Sequence, residues 1–157
     1  EAHAAGLARK LGLKALRPDD DDLVEGLFAA LAEDGADFTL AFRYLAEVDG
    51  PDAGDLDGLF QPGEALCAWL PRWQQRLTAD GADPVARRTG QRAANPVFIP
   101  RNHLVQATIE AAEGGDLAPF HRLAERVADP YRWDPADADL AQPARPEEQV
   151  LRTFCGT

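Results

Sequence analysis

Methionine is absent from the sequence, which begins at Glu1. A translation product starts with methionine, so we expect either a processed chain or a piece of a longer protein. Cysteine is scarce as well: Cys67 and Cys155 are too few for the disulfide framework of a small secreted domain. Two cysteines are compatible with a reducing cytosol, and we expect a cytoplasmic protein.

Long apolar runs are also missing. No stretch approaches the roughly 20 apolar residues that cross a bilayer, and the first residues lack the basic and hydrophobic regions of a signal peptide. The 157 residues, 45% of them hydrophobic, are instead typical of one compact soluble domain. We therefore expect no membrane association.

Basic residues are outnumbered by acidic ones, 16 to 27, and the net charge of −11 disfavours nonspecific binding of nucleic acid or anionic membranes. Four arginines nevertheless form an acid-free cluster: Arg87, Arg88, Arg92 and Arg101. A solvated loop that neutralises an acidic neighbour is the favoured interpretation of this cluster. An anion or phosphate site is the alternative.

Motifs that carry chemistry are missing too. His3, His103 and His121 form no pair at i, i+4, and no Cys-x-x-Cys is present, so a zinc site has no local support. The aspartates between Asp49 and Asp57 lack the register of a calcium loop, because proline and glycine stand where ligands are required. Phosphate loops and nucleophile elbows are also absent from the sequence.

Helical periodicity is what the sequence does contain. Apolar residues recur at helical spacing in five segments: 23–31, 38–48, 66–77, 104–112 and 117–127. Aspartates precede three of them, and we expect N-caps from Asp19–Asp22, Asp37 and Asp116. No run alternates as a strand does. The prediction is an all-α fold, an irregular bundle of about six to eight helices with a proline-rich extended C-terminal tail.

Proline and glycine predict two segments outside the long helices, a tail and a loop. Residues 1–128 are predicted to form the helical region, and residues 129–157 a proline-rich tail that is extended until a short helix at about Glu147–Phe154. Residues 49–63 are predicted to be a loop. Pro71 is expected to start, kink or divide the helix that contains it, because proline lacks an amide hydrogen.

Aromatic and thiol side chains in that helix are expected to be structural. Trp69 and Trp73 at i, i+4 favour the core over a stacking platform, and Cys67 is most simply a buried core residue.

Five segments carry a family resemblance: Lys10–Leu13 (KLGL), Glu33–Leu45 (EDGADFTLAFRYL), Asn95–Leu123 (beginning NPVFIPRN), Asp129–Tyr131 (DPY) and Cys155–Thr157 (CGT). In this order they resemble the C-terminal region of the selenoprotein O family, the pseudokinase-like protein adenylyltransferases. The resemblance covers nearly the whole chain, and Asn95–Leu123 is its most specific part.

The resemblance implies a parent protein that transfers AMP from ATP, with Mg²⁺ or Mn²⁺, onto Ser, Thr or Tyr hydroxyls of other proteins. In that family the nucleotide and metal sites belong to a kinase-like portion upstream. We therefore expect no catalytic, cofactor-binding or metal-binding residue in residues 1–157. The expected role is a helical scaffold that packs against the kinase-like domain.

Cys155 is the one site residue that the resemblance implies, as a redox-sensitive thiol near the end of the tail. Family members often carry a second cysteine three residues earlier, where this sequence has Arg152. Cys155 would then pair with an upstream cysteine or act alone, and an incidental exposed cysteine is the alternative. For the chain as a whole, the alternative function is a free-standing helical module whose Arg87–Arg101 cluster and exposed Trp or Tyr residues bind an acidic partner.

Overall fold

The computed structural model describes residues 2–50, 53–61 and 63–150. These residues form eight α-helices and no strand: α1 (Ala2–Leu11), α2 (Asp21–Glu33), α3 (Phe38–Leu45), α4 (Glu64–Asp80), α5 (Pro84–Ala94), α6 (Asn102–Glu113), α7 (Ala118–Ala128) and α8 (Ala138–Ala141). Short 3-10 helices lie at Pro18–Asp20, Gly54–Leu59, Pro135–Asp137 and Pro146–Glu148. The all-α prediction is confirmed. Among the described helices, none combines the length and the apolar character that crossing a membrane requires.

The chain packs as two compact units, one up to Pro96 and one from Val97 onward. Helices α1–α5 build the first unit. Helices α6–α8 build the second, so α7 shares a unit with residues 129–150. The predicted division into a helical region, residues 1–128, and a proline-rich tail, residues 129–157, stays a prediction.

The core of the first unit is the apolar face shared by α1, α2, α3 and α4. Its largest fully buried side chains are Trp73, Phe42, Leu11, Leu27, Leu45, Leu56 and Leu66. Trp69 and Trp73 stack with ring centroids 5.7 Å apart, and both lie in this core as predicted. Burial of each large apolar side chain contributes about 1.5–3 kcal/mol, which makes this cluster the main source of stability in the unit.

Two helix starts differ from each other in how they are capped. Asp37 accepts a hydrogen bond from the backbone N–H of Leu40 at 2.8 Å, so the predicted cap of α3 is confirmed. Asp20, at the N-cap of α2, makes no such bond. Its carboxylate accepts from the Arg17 N–H and from Arg76 instead, because a largely buried guanidinium is its stronger partner.

Arg76 joins the start of α2 to the end of α4. Its guanidinium donates to both oxygens of Asp20, at 2.8 and 3.1 Å, and also pairs with Asp80. The carboxylate of Asp80 accepts further bonds from the Lys14 N–H and from Arg17. Burial by itself raises the pKa of both carboxyls, but the hydrogen bonds and positive charges outweigh it, and each pKa lies below its usual value.

Several expectations about α4 and α5 were wrong. Helix α4 runs from Glu64 to Asp80 without a break, so Pro71 neither starts nor divides it. Cys67 is exposed and not in the core, because the buried face of α4 holds Leu66 and Trp69 and Cys67 lies about 100° around the helix from Leu66. The arginine-rich segment after Asp83 is helix α5 and not a loop.

The second unit has a smaller core. Among residues 97–150 the buried apolar residues are Val97, Phe98, Leu123, Leu140 and Ala141. Residues 117, 120 and 124 of the predicted inward stripe of α7 are exposed, because the unit covers only the flank near Leu123. Ile109 of α6 is exposed as well.

The tail is less extended than predicted. Residues 135–141 fold into a 3-10 helix followed by α8, and Asp134 accepts a capping bond from the Ala136 N–H. The expected helix from Glu147 is instead the 3-10 turn Pro146–Glu148, followed by non-helical residues 149–150. The rest of that predicted helix, with Cys155, lies outside the described residues.

Replacing Arg76 with alanine should destabilise the first unit strongly. The change leaves the carboxylates of Asp20 and Asp80, which are 5% and 6% exposed, without their shared partner. Breaking a buried ion pair costs about 3 kcal/mol or more, and urea unfolding followed by circular dichroism measures the loss. The control is Arg145→Ala, which removes an ion pair of an arginine that is 70% exposed, and we expect little change in the free energy of unfolding because solvent screens this pair. Equal losses in the two variants would contradict this account.

Candidate functional site

Three of the segments that carry the family resemblance meet at the carboxyl end of α1. Lys10 belongs to the KLGL segment, Arg43 to the segment that ends at Leu45, and Asn95 begins the NPVFIPRN segment. The Lys10 ammonium donates to the Asn95 side chain, the Asn95 amide donates to the Lys10 carbonyl, and Arg43 donates to the carbonyls of Arg92 and Asn95. We call Lys10, Arg43, Gln91 and Asn95 the polar junction.

The end of α1 is closed by a left-handed glycine. Gly12 has φ +75°, and its N–H donates to the Arg9 carbonyl at 3.2 Å. The N–H of Leu13 donates to the Ala8 carbonyl at 2.9 Å. This is the Schellman arrangement, and it satisfies two of the carbonyls that a helix leaves without an intrahelical partner.

The last two carbonyls of α1 receive side-chain donors from distant helices. Asn95 Nδ2 donates to the Lys10 carbonyl at 3.0 Å, and Gln91 Nε2 donates to it at 3.3 Å. Trp73 Nε1 donates to the Leu11 carbonyl at 2.9 Å. Gln91, Asn95 and Trp73 are all fully buried, so an unpaired carbonyl here would carry the full cost of desolvation.

The carboxyl end of α5 is bonded in return. Lys10 Nζ donates to the Ala94 carbonyl at 3.2 Å and to Asn95 Oδ1 at 3.3 Å. Arg43 Nη1 donates to the carbonyls of Arg92 and Asn95 at 3.1 and 3.2 Å. Both cations therefore lie at a helix carboxyl end, where the backbone dipole favours positive charge.

Burial shifts the pKa of both cations of the junction. Desolvation lowers the pKa of Lys10, whose ammonium also lies 5.6 Å from the centre of the Phe42 ring. Desolvation lowers the pKa of Arg43 as well, and the neighbouring carboxylate of Glu47 works against that shift. The carbonyls and rings around these cations replace the water that they lose.

The arginine cluster is drawn into similar internal contacts. Arg92 forms an ion pair with Glu47, and its hydrogen bonds are the main reason that the pKa of Glu47 lies below its usual value. Arg88 pairs with Asp49. The prediction that the cluster neutralises an acidic neighbour is therefore confirmed for Arg88 and Arg92, on a helix and not on a loop.

Arg87 and Arg101 have different surroundings. Arg87 donates to the Val48 carbonyl at 2.9 Å and to the side chain of Gln91, and its guanidinium lies 5.7 Å from the centre of the Trp73 ring. Arg101 is buried and stands at the N-cap of α6. The cluster is thus divided between the two units.

The remaining candidate features in the part of the chain that is described are an open groove and the histidines. An open groove of about 370 Å³ lies between Asp49, Trp73 and Arg87. Within the described residues, no group of three His, Cys, Asp or Glu side chains is placed to hold a metal ion. His3 lies on α1, and His103 and His121 lie on α6 and α7. Cys155 is outside the described residues.

Two members of the polar junction were not singled out by the sequence. Gln91 was missed because its segment was interpreted as a loop, and Arg43 because it was one letter of a longer motif. Asp83 followed by Pro84 was the available signal, since aspartate caps helices and proline favours their first position. The structure has this arrangement, with Asp83 accepting from the Ala86 N–H at 2.8 Å.

The fold and the polar junction define an all-helical unit in which the motif residues join helix ends. The family model "Protein adenylyltransferase SelO" matches residues 1–128. The chain belongs to the SelO family of protein adenylyltransferases.

Similar curated proteins carry the name "Protein nucleotidyltransferase YdiU". The one from Bradyrhizobium sp. (strain ORS 278) is 49% identical over 161 residues, and the one from Rhodopseudomonas palustris (strain BisB18) is 47% identical over 159 residues. Each match covers 100% of this chain and 32% of the relative. The relative from Nitrobacter winogradskyi is 43% identical over 99% of this chain and 31% of its own length. The chain thus spans about a third of these relatives.

Gly12→Ala should destabilise the junction. A Cβ at this position would lie 2.7 Å from the buried Gln91 side chain, and the positive φ is unfavourable for alanine. We expect a loss of roughly 2 kcal/mol or more in the free energy of unfolding, measured by chemical denaturation. Gly90→Ala is the matched control, because Gly90 lies inside α5 with open space around it, and alanine should there stabilise by about 0.5–1 kcal/mol. A neutral Gly12→Ala variant would contradict the packing described.

Proposed function

We propose that this 157-residue chain is a structural scaffold of a protein adenylyltransferase and does not itself carry the reaction. The observation that supports this proposal is the polar junction. Lys10, Arg43 and Asn95, which lie in the segments that resemble the family, all bond to helix ends inside the first unit. Side chains used in this way hold a shape and are not available to bind a nucleotide phosphate.

The scaffold would act by positioning. Nucleotidyl transfer depends mainly on orientation of the reacting groups and on stabilisation of charge, so a rigid neighbour of the catalytic portion can influence the rate without touching ATP. The net charge of −11 agrees with this division, because an acidic surface repels a polyanion such as ATP. The kinase-like portion of the parent protein is the proposed partner of the scaffold.

The parent reaction follows from the family. We infer that a Ser, Thr or Tyr hydroxyl oxygen of a protein substrate attacks the α-phosphorus of ATP, which forms a phosphodiester to AMP and releases pyrophosphate. A divalent cation, Mg²⁺ or Mn²⁺, would neutralise the phosphates in the upstream portion. A cytoplasmic location, where ATP is abundant, remains part of this proposal.

Cys155 is retained as a proposed redox-sensitive residue of the tail. A thiol can form a reversible disulfide only if it is accessible and partly ionised. Its partner would be another cysteine of the parent protein. An interaction module that binds acidic partners is less well supported, because Arg88 and Arg92 already pair with acidic residues of this chain.

The division of labour can be tested with labelled ATP. The 157-residue chain, incubated with [α-³²P]ATP, Mg²⁺ or Mn²⁺ and a protein acceptor, should transfer no AMP above background, whereas the full-length parent should label the acceptor. Transfer by the chain alone would refute the proposed scaffold role. A lack of transfer by a folded full-length parent would refute the proposed parent reaction.

The redox role of the tail can be tested in the full-length parent. Cys155→Ser should leave transfer unchanged under reducing conditions and remove the dependence of activity on an added oxidant. The control is Cys67→Ser, which changes the exposed thiol on α4. If Cys155→Ser responds to oxidant as the unaltered parent does, Cys155 is not the switch.

A further inference from the structure

Helix α7 carries a wider apolar stripe than its own unit covers. Leu117 at the N-cap and Phe120, Leu123 and Ala124 within the helix share one side by their spacing. Leu123 is buried, whereas Leu117 and Phe120 are 53% and 52% exposed. We call Leu117, Phe120 and Ala124 the open flank of α7.

The other flank of α7 is firmly held. Arg122 pairs with Asp137 and Asp139, at 2.7 and 2.6 Å, and Arg126 pairs with Asp137 at 2.7 Å. Arg122 also donates to the Ala136 carbonyl at 3.1 Å. Because these bonds fix the rotation of the helix, the open flank is a consequence of the fold and not of a loosely attached helix.

Within residues 97–150 the second unit buries little apolar material. The buried apolar residues in that range are Val97, Phe98, Leu123, Leu140 and Ala141, and a core of this size contributes little stability. The exposed large apolar side chains among these described residues are as numerous: Ile109, Leu117, Phe120, Tyr131 and Trp133. An exposed apolar stripe beside a small core indicates a surface that another part of a protein covers.

We propose that the open flank of α7 docks against the part of the parent protein that lies outside these 157 residues. This proposal rests on the proposed function. The curated relatives match the whole of this chain over only 32% of their length, so in them a large portion of the same polypeptide is present to cover the flank.

The small size of the open flank favours that occupant over a second copy. The flank has only two large side chains, Leu117 and Phe120, whereas a specific complex of separate proteins buries roughly 1,200 Å² or more. A portion of the same polypeptide needs no such area, because the covalent connection supplies a high effective concentration. Interfaces between domains of one chain bury about 600–1,500 Å², a range that begins well below that of specific complexes.

The test uses the full-length parent and an endoprotease that cleaves after glutamate. The measured quantity is the rate of cleavage of the peptide bond after Glu113, at the end of α6. Phe120→Asp puts a carboxylate into the proposed contact, and we expect about a tenfold faster cleavage there, since cleavage follows the population of the undocked state. Ala124→Asp, inside α7 on the same flank, should behave in the same way. The control is Val85→Asp on α5, where an equally apolar side chain is 71% exposed, and cleavage should not change.

An unchanged cleavage rate in both α7 variants would overturn the proposal. Light scattering that shows a dimeric parent, converted to a monomer by Phe120→Asp, would also overturn it, because the occupant would then be a second copy. Faster cleavage in a monomeric parent supports docking. AMP transfer is measured separately on the unaltered parent, so a failure of the proposed reaction is distinguishable from a failure of docking.

Discussion

The first unit depends on the buried carboxyl end of α1. A helix leaves its last carbonyls without intrahelical partners, and in a dry environment each unpaired carbonyl costs about 1–3 kcal/mol. Here Gly12 and Leu13 satisfy two of them from the backbone, and Trp73, Gln91 and Asn95 satisfy the other two from α4, from α5 and from the residue after α5. Removing α4 or α5 would therefore leave α1 with an unsatisfied end.

The same arrangement supports the proposed scaffold role of the motif residues. Lys10 and Arg43 are cations of the kind that bind phosphate groups, yet both donate to carbonyls at the carboxyl end of α5. Burial lowers the pKa of each. The two helix ends thus complete each other across the junction. A family can require such residues at fixed positions for the shape of the unit alone, without any contact with substrate.

The sequence was sufficient for what depends on local pattern and insufficient for what depends on partners distant in the chain. The periodicity of α2, α3 and α4, the cap at Asp37 and the burial of Trp69 and Trp73 follow from spacing and were predicted. Helix α5 was missed because its apolar face is narrow and its buried residue is the polar Gln91. The exposure of Phe120 was also missed, because spacing defines a stripe but not how much of it a neighbour covers.

The distances in sequence across the junction have a consequence for how the chain folds. The donors to the carbonyls of Lys10 and Leu11 lie 62, 81 and 85 residues further along the chain. Such nonlocal contacts slow folding, since a long loop must close before they form. During synthesis at about 5–20 residues per second, α1 emerges several seconds before its partners exist. We therefore expect the end of α1 to be among the last parts of the first unit to become ordered on the ribosome.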